Sequence, residues 1–192
     1  GDEAGTALTT GDHNTAIGFS ALDAEDTGTA SVAIGNYALS SQNNDGNNYN
    51  TAVGYVAGSN VTTGIENTLI GGLSGDALTT GVENVAVGLA SLGGDTQGKK
   101  SVAVGHGALS VQNFTSATDS YNTAVGHSAG KSVTTAIYNT LMGGLTGDAI
   151  TTGNNNVALG ALALSTETAG HKSIAIGYGA LSTQNLTSST DI

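Results

Sequence analysis

Read for its apolar positions, the chain repeats one short word. An Asn or Ser leads three small or apolar residues and a glycine: NTAIG ending at Gly18, SVAIG at Gly35, NTAVG at Gly54, NTLIG at Gly71, NVAVG at Gly88, SVAVG at Gly105, NTAVG at Gly126, NTLMG at Gly143, NVALG at Gly160 and SIAIG at Gly177. Successive marker glycines are therefore spaced by 17, 19, 17, 17, 17, 21, 17, 17 and 17. A longer period sits on top, because Tyr49 to Asp119 matches Tyr121 to Asp191 at an offset of 72. Four words therefore make a super-repeat in which one coil is lengthened. Repetition this regular fixes the fold class before composition is considered.

A unit this short has no room for two packed helices, and its β-branched word with glycine punctuation predicts a strand. Neighbours in a strand face opposite ways. The residue before each marker glycine is large and apolar throughout (Ile17, Ile34, Val53, Ile70, Val87, Val104, Val125, Met142, Leu159, Ile176). The one before that is Ala in eight words and Leu69 or Leu141 in the other two. Both faces are thus expected to be covered, one by the inside of a coil and the other by a second partner. Asn heads seven words (Asn14, Asn50, Asn67, Asn84, Asn122, Asn139, Asn156), with Ser31, Ser101 and Ser173 replacing it in the others. Stacked amides satisfy one another along a solenoid axis, as in cross-β ladders. The expected fold is all-β: one parallel β-solenoid over residues 1–192, about ten coils of about 17 residues, each with two short strands and adding ~4.8 Å of length.

Composition removes several functions. Four Lys and Arg against fifteen Asp and Glu give a net charge of −11, which leaves no basic patch for nucleic acid. No apolar run approaches the ~20 residues of a membrane helix, so membrane insertion is not expected. With no cysteine there is neither disulfide nor thiolate metal site. The chain opens inside its repeat without an initiator Met and reads as a segment of something longer. Aromatics are only 4%. A narrow coil of Ala, Val and Gly gains ~25 cal/mol per Å² of buried apolar surface against ~1–2 kcal/mol of backbone entropy per residue. Association through the second apolar face is expected to make up the difference, and a closed three-fold ring suits a rod.

The words NTAVGYVAG, SVAIGNYAL and NNVALGALAL resemble the head repeats of trimeric autotransporter adhesins of the YadA type, and equally the related repeats of phage tail fibres. The resemblance covers nearly the whole chain. It implies a left-handed β-roll, a homotrimer, and a fibre on a cell or virion surface that touches a host glycan or protein. The coils here are longer than is usual in adhesin heads, which favours the tail-fibre relative. The expected function is a non-enzymatic, cofactor-free structural segment of such a fibre. A cell-surface adhesin binding glycan or matrix is the first rival, and an ice-binding solenoid the second.

The lengthened coils are the candidate contact sites, since recognition usually sits on loops carried by a rigid scaffold. Gln42 to Tyr49, Gln112 to Tyr121 and Gln184 to Asp191 are expected to bulge from one edge every fourth coil. Candidate receptor contacts are Asn43, Asn44, Asp45, Asn47, Asn48 and Tyr49 in the first; Asn113, Phe114, Thr115, Asp119 and Tyr121 in the second; and Asn185, Leu186 and Thr187 in the third. Phe114 and Leu186 are expected as apolar tips. The same loops also read as spacers that reset the twist of the coil.

Other chemistry is weaker. His106 and His127 follow marker glycines of adjacent coils and are expected ~5 Å apart, a packing position before it is a metal site. GGLSGDALT and GGLTGDAIT approach the calcium nonapeptide, but they are separated by the full super-repeat instead of standing in tandem, so Asp76 and Asp148 read as turn formers. Thr10, Thr27, Thr63, Thr80, Thr118, Thr135 and Thr152 form one file and Thr9, Thr62, Thr79, Thr96, Thr134, Thr151 and Thr168 its neighbour. Adjacent files are expected on opposite faces, unlike an ice-binding surface. No paired carboxylates in a groove are suggested, and no catalytic residue is assigned.

Overall fold

The computed structural model describes residues 1–186, which form a parallel β-solenoid. Its strands are β1 (Thr15–Ile17), β2 (Val32–Ile34), β3 (Thr51–Val53), β4 (Thr68–Ile70), β5 (Val85–Val87), β6 (Gly98–Lys99), β7 (Val102–Val104), β8 (Thr118–Asp119), β9 (Thr123–Val125), β10 (Thr140–Met142), β11 (Val157–Leu159) and β12 (Ile174–Ile176). Ten of them make one sheet in the order β1-β2-β3-β4-β5-β7-β9-β10-β11-β12, while β6 pairs with β8. Register follows the words: Ala16 opposes Ala33, Ala33 opposes Ala52, and Ala52 opposes Leu69. The two longer spacings leave it intact, with Val32 opposite Thr51 and Val102 opposite Thr123. One strand rather than two forms in most coils. The other sides are stacked turns whose backbone groups bond coil to coil, as Leu22 N–H does to Ala38 O at 3.0 Å and Thr79 N–H to Thr96 O at 2.8 Å.

The turns explain why a second strand is confined to the short β6–β8 pair. Positive φ recurs at four places in each coil: the residue before the word, the marker glycine, and the second and fourth residues after it, as at Glu83, Gly88, Ala90 and Leu92. Extended backbone cannot pass through such positions. The marker glycines also pack on one another. A Cβ on Gly88, where φ is 130°, would stand 2.6 Å from the carbonyl carbon of Gly105. Gly1 stands one repeat unit before Gly18 and packs against it in the same way, so it starts a further coil.

The core is a thin column. The central residue of each strand from β2 to β11 in the large sheet is fully buried, as are Leu22, Leu39, Leu92, Leu109 and Leu164 from the turns. The two strand leucines have a local reason. Where Leu69 and Leu141 replace Ala, the turn leucine is replaced by glycine: a Cβ on Gly58 or Gly75 would meet Leu69 at 2.6 or 2.7 Å, and on Gly130 or Gly147 would meet Leu141 at 2.7 or 2.8 Å. Each strand leucine thus occupies the space left by the glycines at two successive turns.

Candidate interaction surfaces and the buried polar column

Side chains at the first and third strand positions point out of the sheet, and the chain leaves that face uncovered. Ile17 is 56% exposed, Ile174 69% and Ile176 66%, with Ile70, Met142, Val157 and Leu159 also exposed and Val87 and Val104 half-buried. The expectation that the strand is covered on both faces therefore holds within this chain for the inner face alone. Phe19, Tyr55, Leu89 and Tyr178, which follow marker glycines, extend the apolar surface sideways. Phe19, Tyr37 and Tyr55 meet edge to face at centroid distances of 5.3 and 6.5 Å. His106 and His127 stack at 5.1 Å and 12° on this file. Among the described residues no group of three or more His, Cys, Asp or Glu is placed to hold a metal ion.

Inside the coil runs a hydrogen-bonded amide column. Asn67 Nδ2 donates to Gly81 O at 2.9 Å, and its Oδ1 accepts the N–H of Asn84 at 3.1 Å. Asn14, Asn50, Asn84, Asn122, Asn139 and Asn156 repeat both contacts with the next coil. Where serine heads the word, a glutamine from the next coil supplies the missing amide. Gln42 Nε2 donates to Ser31 Oγ at 2.9 Å while its Oε1 accepts from Asn50 at 2.8 Å. Gln112 bridges Ser101 and Asn122 in the same manner.

Beside Gln42, Gln112 and Gln184 stand three fully buried carboxylates that sequence reasoning missed: Glu25, Asp95 and Glu167. Each lies seven positions after a marker glycine, where other coils carry Leu8, Val61, Leu78, Val133 or Ile150. Asp95 accepts from Gln112 Nε2 at 2.6 Å and from the N–H groups of Gly98 and Phe114, both at 3.0 Å. Glu25 accepts from Gln42 Nε2 and Asn48 Nδ2, both at 3.0 Å, and from Gly28 N–H at 2.7 Å. Burial pushes the Asp95 carboxyl above its ordinary range against the pull of those bonds. For Glu167 burial acts in the same direction, but bonds from Gln184, Gly170, Leu186 and Ala169 win and hold it below. The signal in the sequence was an acid recurring at spacings of 70 and 72, each time one repeat unit before a glutamine.

The lengthened loops do leave the coil after these glutamines. Asn43, Asp45, Asn47 and Tyr49 are exposed, Asn44 is half-buried and Asn48 is buried. Asp45 and Asn47 bond back to Thr27 and Thr29. In the second loop Asn113, Thr115, Asp119 and Tyr121 are exposed, whereas Phe114 is not the expected tip. It is 6% exposed, turned inward by its N–H bond to Asp95. Asp119 pairs with Lys100 at 2.7 Å, and Lys100 also lies 5.2 Å over the Tyr121 ring. That pairing holds the Asp119 carboxyl below its ordinary value. Tyr121 stacks on Tyr138 at 5.5 Å and 11°. Asn185 is exposed and Leu186 half-buried, while Thr187 lies outside the described residues.

The remaining candidates serve the coil. Thr9, Thr62, Thr79, Thr96, Thr134, Thr151 and Thr168 each donate the hydroxyl to a carbonyl of the next coil. In the neighbouring file Thr10, Thr63, Thr80, Thr135 and Thr152 are exposed, on bends and not on a strand. Asp76 and Asp148 sit in turns, and burial raises both carboxyls above their ordinary range. The described residues form no concave pocket. Set against family models, curated proteins and solved structures, the chain matches none.

Proposed function

We propose that the chain is a non-enzymatic segment of an extracellular or virion fibre, in which three copies of a left-handed roll stand side by side and present their lengthened coils to a host glycan or protein. The observation that carries this reading is the apolar sheet face, uncovered within one chain from Ile17 to Ile176. Exposed apolar area this continuous marks an interaction surface, and a straight file on a rod suits parallel copies of the same rod. The test is the mass of the chain in solution at low micromolar concentration, by light scattering or native mass spectrometry. Three times the chain mass supports the reading. A stable folded monomer overturns it.

A second reading, an adhesin that binds glycan directly, draws on the Tyr121–Tyr138 stack with Lys100 and Asp119 beside the second loop. Aromatic faces and paired polar groups are what sugars require. Binding on a glycan array that disappears in Tyr121→Ala and Tyr138→Ala would favour it. An inert array would leave the mechanical reading alone.

A further inference from the structure

We infer that the buried acid–glutamine pairs are clasps that place the surplus residues of each lengthened coil at one edge and hold them there as a fixed ledge. The inference stands independently of the fibre reading. An acid occupies the seventh position after the marker glycine only in the coil preceding each glutamine, and a lengthened loop follows both Gln42 and Gln112. Such a coil exceeds the plain unit by two or four positions, and the uniform turns elsewhere offer no reason for the surplus to collect in one place. The clasp supplies that reason. Asp95 binds the start of the second loop through Gln112 Nε2 at 2.6 Å and again two residues further on through Phe114 N–H at 3.0 Å. Gln112 Oε1 binds its end through Asn122 Nδ2 at 2.9 Å.

The first loop is held by the same logic with different atoms. Glu25 is one methylene longer than Asp95 and reaches Asn48 Nδ2 at 3.0 Å, where the second clasp uses a backbone N–H. Glu167 receives Gln184 Nε2 at 3.0 Å and Leu186 N–H at 3.1 Å. A buried carboxylate is costly unless its lone pairs are filled. Each acid therefore selects the one loop path that brings donors to it, as buried polar groups elsewhere select one register.

Hydrogen exchange on the intact chain tests this. Asp95→Asn keeps the shape but replaces one of the two acceptor oxygens by an NH2 donor, which then faces either Gln112 Nε2, bonded to Oδ2, or the Phe114 and Gly98 N–H groups, bonded to Oδ1. Amides of residues 113–121 should then exchange at least ten-fold faster, while those of β7 and β9 keep their rates. Leu78→Ala, at the equivalent position of a plain coil, should raise exchange in its neighbouring strands without singling out residues 113–121. Unchanged loop exchange in Asp95→Asn, or exchange rising in step with the strands, would overturn the clasp. If that variant does not fold, Glu25→Gln is read at residues 43–49 by the same criteria. Failure of both to fold would assign the acids to general core stability and overturn it equally.

Discussion

At the scale of single residues, this fold is a sequence of left-handed backbone positions, and most are not occupied by glycine. Leu92, Leu109 and Tyr138 all sit at φ between 48° and 60°, each at a cost on the order of 1 kcal/mol. Their side chains compensate by packing in the core or on a neighbouring ring. The marker glycines from Gly18 to Gly160 are a different case, because both conformation and space forbid a side chain. Gly88 and Gly46 separate the two effects: φ is 130° and 115°, but a Cβ meets the Gly105 backbone at 2.6 Å in the first case and nothing within 4 Å in the second. Gly88→Ala should therefore cost ~3 kcal/mol or more, and Gly46→Ala ~1 kcal/mol. Urea denaturation midpoints at constant m-value would check the difference. Equal losses would show that conformation alone governs the marker column.

At the scale of one coil, the word was legible because its period and its two apolar faces are both local. Strand positions, register and the amide ladder all follow from NTAVG and its variants. The second strand is missing from most coils because positive φ at residues such as Leu92, Tyr121 and Leu145 leaves no mark in composition: these residue types normally avoid it. The apolar tip at Phe114 failed for a related reason, since the partner that draws it in, Asp95, is remote in sequence and of a type normally found at the surface. The amide column yields a prediction about its exceptions. Ser31 and Ser101 are tolerated because Gln42 and Gln112 provide an amide. Asn67→Ser places serine where Leu78 provides none, so it should destabilise by ~2 kcal/mol, two buried partners being left unsatisfied. Adding Leu78→Gln should recover part of that loss in thermal melts.

The buried acids predict opposite responses to pH. The folded value of Asp95 is raised, so the folded chain takes up this proton before the unfolded chain does. Its contribution favours the fold as pH falls through the window just above the ordinary carboxylate range, and is lost as pH rises through it. Glu167 is depressed, so it stabilises above the ordinary range and loses that effect as pH falls. Asp95→Asn should therefore make stability drop more steeply on acidification than in the parent chain, and Glu167→Gln less steeply. Denaturation at a series of pH values from neutrality down into the carboxylate range reads both slopes, and parallel curves for the two variants would contradict the assignment.

At the scale of the whole molecule, the chain is a rod with a closed polar interior and an open apolar side. The interior needs nothing further, since its Asn, Gln and carboxylate groups are bonded from coil to coil. The open side is different, because the valines and isoleucines at the third strand position form a file one coil apart with no described residue over them. Burying a half-exposed valine is worth on the order of 1 kcal/mol, and in a ring of three rods each coil contributes three. Val87→Lys with Val104→Lys puts two ammonium groups on adjacent coils of this file, both half-buried in the single chain. Neither side chain enters the core, so the circular dichroism of the folded coil should survive. On the proposed three-chain reading, the mass should fall to that of one chain, and the melting temperature should not depend on concentration. The same two lysines at Thr63 and Thr80, exposed on the bend, should leave mass and melting unchanged. If the Val87 and Val104 variant keeps a three-chain mass, the rods meet through another surface and the sheet face is open to a different partner.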